Sequence, residues 1–262
     1  MNKFWNFKAK DESTGELTLY GDISSATWWG DEVTPQQFKD DLDALGGISN
    51  LDIYINSGGG DVFAGQAIHS MLKRHKAYKT VYIDGLAASI ASVIAMAGDK
   101  IIMPKNASMM IHNAWTLIAG NKDDLRKMAD DMEKIDAGIV ATYAEKTGLD
   151  ESEIVSLMNA ETWFTADEAV KKGFADEIEE TKQIAASMDG EFLVYGNQRF
   201  DIGRYKHRPD IPCEAHTEHT EPPDEGGFLV PDNGGGSQPV EDTALDEQRE
   251  YFNKIKKKLL EV

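Results

Sequence analysis

The sequence predicts an α/β protein, a mostly parallel sheet covered by helices. Three observations lead there. Short apolar, strand-like runs alternate with helix-period stretches across residues 1–180. Two of the runs end in small-residue junctions, Ser57-Gly58-Gly59-Gly60 and Gly85-Leu86-Ala87-Ala88-Ser89, which suit a strand turning into a helix. A long 3.6-residue pattern, Leu125, Met128, Met132, Ile135, Ile139 and Tyr143, stops at Gly148.

Taken in order, Leu17 to Ile23 reads as a strand, and Thr34-Pro35 opens a helix with Thr as N-cap and Pro in the first turn. Leu51 to Asn56 is a buried strand running into the triple glycine, and Asp61 caps the helix that carries Val62, Ala67, Ile68 and Met71. Thr80 to Asp84 is the next strand, and Gly85 leads into a small-residue helix from Ala88 to Ala97. Lys100 to Met103 and Ser108 to His112 are strands on either side of a turn at Pro104. After the long helix from Asn121 to Lys146 come shorter helices at Glu151 to Met158 and Ala166 to Lys172, then a strand from Phe174 to Ile178. Residues 181–208 read as a short extension with a β-hairpin.

Composition changes beyond this point. Residues 209–247 hold eleven Asp or Glu and no Lys or Arg, with six of the eight prolines between Pro209 and Pro239. Such a segment buries too little apolar surface to offset chain ordering and is expected to be a disordered acidic linker. Residues 248–262 then place Phe252, Ile255 and Leu259 on one helical face among Lys254, Lys256, Lys257 and Lys258, a basic amphipathic helix. A net charge of −19 repels nucleic acid and anionic membrane. No run is long and apolar enough to span a bilayer, nothing at the N-terminus reads as a secretion signal, and the single cysteine, Cys213, suits a reducing cytoplasm.

Chemistry gathers at four places. The triple glycine can present backbone N–H donors beside a helix end, either as a plain tight turn or as an oxyanion hole; without a following Gly-Lys-Ser/Thr it is no P-loop. Ser89 lies among small residues that leave room for a substrate backbone, or merely caps a helix. Met109-Met110-Ile111-His112 puts a histidine at the end of an apolar strand, and Glu161 precedes Thr162-Trp163-Phe164. Each has an ordinary structural explanation when taken alone. Two further patterns are set aside: Ser70-x-x-Lys73 lies within an amphipathic helix and lacks companion motifs, and Cys213, His216 and His219 share an acidic segment with no fourth ligand nearby. No metal and no cofactor is expected.

Together, Asn56-Ser57-Gly58-Gly59-Gly60, Gly85-Leu86-Ala87-Ala88-Ser89, Met110-Ile111-His112 and Phe164-Thr165-Ala166-Asp167-Glu168-Ala169-Val170 resemble, in order, the signature segments of ClpP-type serine peptidases. The resemblance runs from Leu17 to Ile178. Lys3-Phe4-Trp5-Asn6-Phe7, Glu161-Thr162-Trp163 and Gly196 to Ile202 look like the phage head-maturation (prohead) branch of that family.

The resemblance implies a ClpP/crotonase-like spiral of β-β-α units in which the long helix is a handle between subunits of a homo-oligomeric ring. It implies Ser89 as nucleophile, His112 as general base and Glu161 as the acid that orients it, with Gly60 and Ile90 N–H groups as oxyanion hole. An extended substrate would lie along Gly58, Gly59 and Asn113. The implied activity is serine endopeptidase, on capsid or scaffold proteins in a host cytoplasm or procapsid, with any ATPase partner a separate protein. Three positions depart from the family pattern: Glu161 where Asp is usual, Gly58 and Ala114 where Pro is common. Asp150, Asp167 and Asp176 therefore stand as alternative acids. A crotonase-like acyl-CoA enzyme and an inactive ring-forming scaffold are the competing functions.

Overall fold

A computed structural model describes residues 3–24, 34–179, 186–189, 192–195, 198–203, 205 and 207, all within the unit Met1–His216. The acidic segment 209–247, the basic segment 248–262 and the Cys213/His216/His219 pattern lie outside them.

Strands β1 (Trp5–Ala9) and β2 (Thr14–Tyr20) form an antiparallel pair at one sheet edge. Helix α1 (Pro35–Asp43) begins at the expected cap: Thr34 Oγ1 accepts from Gln37 N–H while the Gln37 side chain accepts from Thr34 N–H. Strand β3 (Asn50–Ser57), parallel to β2, is followed by helix α2 (Val62–Arg74), capped by Asp61, and by strand β4 (Tyr78–Ala88), which lies parallel to β3. Helix α3 (Ile90–Ala95) is six residues long. Strands β5 (Lys100–Pro104) and β6 (Ser108–Ile111) flank the Pro104 turn and precede α4 (Lys122–Thr147), 26 residues with Asn121 as N-cap and Gly148 left-handed at its end. Helix α5 (Glu151–Asn159), strand β7 (Thr162–Thr165), helix α6 (Ala166–Lys171) and strand β8 (Glu177–Glu179) complete the alternation.

The sheet runs β1-β2-β3-β4-β5-β8, with β6 joined to β4 and β7 joined to β6. Every pairing is parallel except β1–β2 and β6–β7. Strand β4 explains the branch. Its first half pairs with β5 through Thr80–Tyr82, and its second half pairs with β6 through Leu86–Ala88. Between these halves the register against β3 slips, from Ile55↔Ile83 to Ser57↔Ala87. Asn56 Oδ1 accepts the Leu86 N–H at 3.1 Å there, a buried amide filling the hydrogen bond that the irregularity would otherwise leave open.

The strand expected over Leu17 to Ile23 is observed as Thr14–Tyr20, and two further boundaries differ from the sequence expectation because backbone groups find partners elsewhere in the fold. Gly85 does not end its strand, because the backbone beyond it finds partners in Asn56 and β6; the helix therefore starts at Ile90 rather than Ala88. Phe174 and Ala175 form a buried turn instead of a strand, their N–H groups both donating to the Ala169 carbonyl, and β8 begins only at Glu177.

The principal core sits between the sheet and its helices, with Leu17, Leu51, Ile53, Val81, Ile83, Leu72 and Met103 wholly buried. A second apolar cluster joins Leu86, Ala88 and Met110 to Leu193, Phe200, Ile202 and Tyr205. The last four belong to the C-terminal extension, which holds three antiparallel strands, β9 (Ala186–Asp189), β10 (Phe192–Tyr195) and β11 (Gln198–Asp201), where a hairpin was expected.

Candidate active site

Parallel strands end on one side, and here the ends of β3, β4 and β6 converge, carrying the glycine loop, Ser89 and His112 respectively. Ser89 follows β4 directly and adopts φ 56°, ψ −131°, a conformation costly for a residue with a Cβ, of order 1–3 kcal/mol. Its side chain does not cap α3, so the N-cap reading fails. The turn is held from several directions. Ser89 N–H donates to the Met110 carbonyl at 2.9 Å. Ser92, fully buried, places Oγ 2.6 Å from the Ser89 carbonyl and 2.8 Å from the Tyr143 hydroxyl on α4. Its proton serves the Ser89 carbonyl while Tyr143 donates to it, and burial pushes the Tyr143 phenol well above its ordinary pKa.

His112 Nε2 lies 2.8 Å from Ser89 Oγ. With Nδ1 carrying the ring proton, Nε2 accepts from the hydroxyl and can take its proton. Glu161 faces the other ring nitrogen because β6 and β7 are antiparallel. The register Met110↔Trp163, Ile111↔Thr162 continues one step to bring position 112 beside position 161. Glu161 has φ 49° and is 9% exposed, and its Oε2 lies 3.8 Å from His112 Nδ1. That is ion-pair range but longer than a hydrogen bond. Its Oε1 accepts the His207 backbone N–H at 2.7 Å. The alternative acids point their chemistry elsewhere. Asp176 accepts from Ile101 N–H and Lys146, while Asp150 and Asp167 are exposed beside the starts of α5 and α6.

The glycine loop is fitted to Ser89. Gly59 has φ +90°, and a Cβ there would lie 2.7 Å from Ser89 Cβ and 2.8 Å from the Ala88 carbonyl oxygen. Gly60 has φ +149°, and a Cβ there would meet the Ile23 carbonyl oxygen at 2.0 Å. Only glycine allows both approaches. The chain at Ile23 fixes the loop, its N–H donating to Gly59 O and its carbonyl accepting from Asp61 N–H. Ser57 Oγ donates to Gly21 O and accepts from Gly59 N–H.

Of the residues expected to contact substrate, Gly60 is exposed and lines a cavity of about 170 Å³ with Val62, Ser89, His112, Trp115 and Tyr205. Gly58 and Gly59 are buried behind it. Asn113 lines an adjoining cavity of about 300 Å³ with Trp115, Asn159, Glu161 and His207, and its amide donates to Asn159 Oδ1 at 2.8 Å. Ile90, buried, follows Ser89 as the first residue of α3 and packs against Gly65 of α2. Ala114 N–H donates to Asp136 Oδ1 at 2.8 Å, which ties the segment after His112 to α4, and burial raises the Asp136 carboxyl above its ordinary pKa. Among the described residues, no group of three or more His, Cys, Asp or Glu could hold a metal.

Sequence reasoning did not single out Ser92, Asp136, Tyr205 or His207 for this site. The apolar residues Ile202 and Tyr205 within an otherwise polar stretch were the available signal for the extension; nothing local marks the other contacts.

The sequence matches the Clp protease family over residues 37–182. It is 32% identical over 186 residues to an ATP-dependent Clp protease proteolytic subunit 2 of Treponema denticola, covering 70% of this chain and 87% of the relative. It is also 32% identical over 140 residues to an ATP-dependent Clp protease proteolytic subunit of Deinococcus radiodurans, covering 52% and 68%. With more than half of its length matched and its glycine loop, serine and histidine brought together at three strand ends, this chain belongs to the Clp protease family.

Proposed function

We propose that this ClpP-type peptidase cleaves peptide bonds with Ser89, His112 and Glu161, and that its substrates are capsid or scaffold proteins of phage head assembly. The observation that carries the chemistry is the 2.8 Å approach of His112 Nε2 to Ser89 Oγ on a strained strand-to-helix turn. Ser89 Oγ attacks the substrate carbonyl as His112 takes its proton. Glu161 orients the ring and stabilises the imidazolium, moving toward Nδ1 by less than about 1 Å to reach hydrogen-bond distance. The Gly60 and Ile90 N–H groups receive the developing oxyanion. His112 then protonates the leaving amine, and water hydrolyses the acyl-enzyme by the reverse sequence. Family membership together with the Ser–His pair speaks against the crotonase-like reading, which needs neither.

The capsid setting rests on the three sequence segments that look like the phage branch. In this reading the subunits form a ring through α4, in a host cytoplasm or procapsid. The acidic segment 209–247 and basic segment 248–262 form a linker and a docking or self-cleavage element. The Glu161–His112 separation favours one competing view, an assembly scaffold with a disabled triad. Mass spectrometry of wild type and Ser89→Ala, each incubated alone and with capsid or scaffold protein, separates them. Fragments from wild type only are expected. Intact protein in both, with no fluorophosphonate label on Ser89, overturns the peptidase reading; fragments of unrelated proteins but not of capsid or scaffold overturn the phage setting alone.

A further inference from the structure

Tyr205 lies far along the chain from every residue of the proposed triad, yet its side chain meets three separate parts of the site. It is 4% exposed and packs in the cluster that contains Ala88, the residue before Ser89, and Met110, two before His112. Its hydroxyl donates to the Gly58 carbonyl at 2.5 Å, across 147 residues of sequence. Its ring stands edge-on to His112, centroids 5.6 Å apart at 79°, and edge-on to Trp163 of β7, 5.6 Å apart at 78°. Two residues later, His207 N–H donates to Glu161 Oε1 at 2.7 Å, and the His207 ring nitrogen Nδ1 lies 2.9 Å from the Ala160 carbonyl.

Each contact acts on a degree of freedom that the chemistry needs held. Three successive glycines have more backbone freedom than any other tripeptide, and Gly58 stands where the family resemblance leads one to expect the fixed φ of proline. Ile23 and Ser57 anchor Gly59 on one side of the loop; the Tyr205 hydroxyl anchors Gly58 on the other. An edge-on aromatic neighbour restricts the tilt of the His112 ring, which sets the direction of Nε2 toward Ser89 Oγ. A backbone N–H on one oxygen of Glu161 turns its second oxygen toward His112, as donors on outer atoms do for groups that must be aimed.

We infer that Tyr205 is a positioning residue of this active site, the centre of a strap from the C-terminal extension that aligns the glycine loop, His112 and, through the His207 N–H, Glu161. The strap makes Leu193, Phe200, Ile202, Tyr205 and His207 part of the functional unit. The inference rests on the peptidase reading for its kinetic consequence, but its structural content can be tested without it.

The test uses the full chain and Tyr205→Phe, which keeps the ring and its packing and deletes only the hydroxyl. Inactivation by a fluorophosphonate gives kinact and KI, and hydrogen–deuterium exchange reports the protection of residues 56–62. The expected result is a kinact lower by about tenfold with KI within about twofold, the split that a misaligned nucleophile and oxyanion hole produce, together with faster exchange in the glycine loop and unchanged exchange in β1. Where wild type labels, an unchanged kinact overturns the inference, whatever the exchange shows. Where wild type does not label, the peptidase reading fails by itself, and exchange decides: a faster loop supports the strap, an unchanged loop overturns it. His207→Pro, which deletes the N–H that Glu161 accepts, is expected to lower kinact below that of His207→Ala, which keeps it. Equal values remove Glu161 from the strap.

Discussion

Ser89 shows how much of the site depends on a residue's backbone rather than its side chain. Its positive φ turns the chain so that Oγ faces His112, and the glycine loop can approach only because Gly59 lacks a Cβ. Gly59→Ala would set a methyl 2.7 Å from Ser89 Cβ at φ +90°. A loss of about 2 kcal/mol in urea unfolding and near-complete loss of Ser89 labelling are expected; labelling at the wild-type rate would mean that the loop is not seated against the nucleophile. Asp136 is the other informative residue. Burial is the first cause of its raised carboxyl pKa, opposed by the Ala114 N–H that it accepts. With the folded value above the unfolded one, its ionised burial opposes folding above the folded pKa, and that cost fades as pH falls through it. Asp136→Asn keeps an acceptor for Ala114 without the charge. In paired urea titrations, wild type is expected to gain stability relative to Asp136→Asn between pH 7 and pH 4, and a constant difference would refute the assignment.

Among the elements, the junction of β4, α3, β6 and α4 matters most. Three of them meet at Ser92, whose hydroxyl lies within hydrogen-bond distance of the Ser89 carbonyl, the Met110 carbonyl and Tyr143. Ser92→Ala leaves Tyr143 and the Ser89 carbonyl short of a partner inside the core. It should cost about 1–3 kcal/mol in denaturant unfolding and slow Ser89 labelling as well. A stability loss with labelling untouched would show that the turn at Ser89 holds without it. The β6–β7 pairing has a comparable role for the acid. Antiparallel register, rather than proximity in sequence, is what brings Glu161 to His112 across 49 positions.

At the scale of the whole molecule, α4 is packed unevenly. Ile139, Val140 and Tyr143 in its C-terminal half are buried, whereas Leu125 near its start is 46% exposed although it belongs to the same apolar stripe. Trp115 and Leu117, in the segment leading to α4, are also exposed, at 65% and 72%. Ring formation through α4 would cover such a stripe. Light scattering should therefore give a mass several times 29.0 kDa, and Leu125→Glu with Met132→Glu should return it to that of one chain. A monomeric wild type would rule out the ring.

The amino-acid sequence determined the fold class, most element types, the caps at Thr34 and Asp61, the stop at Gly148, and the serine, histidine and glycine loop, because each leaves a local mark in periodicity, capping chemistry or a short motif. Its errors at Gly85 and Phe174 have one origin. Glycine and small residues weaken a strand locally, but Asn56 and β6 supply the hydrogen bonds that prolong β4, and the Ala169 carbonyl draws Phe174 and Ala175 into a turn. Glu161 could be named from sequence but not chosen over Asp150, Asp167 or Asp176, since only pairing register says which carboxylate faces the ring. Tyr205, His207, Asp136 and Ser92 were decided by tertiary structure alone. Each acts through a hydrogen bond or ring contact between segments distant in sequence, and such contacts exist only after the chain has closed on itself.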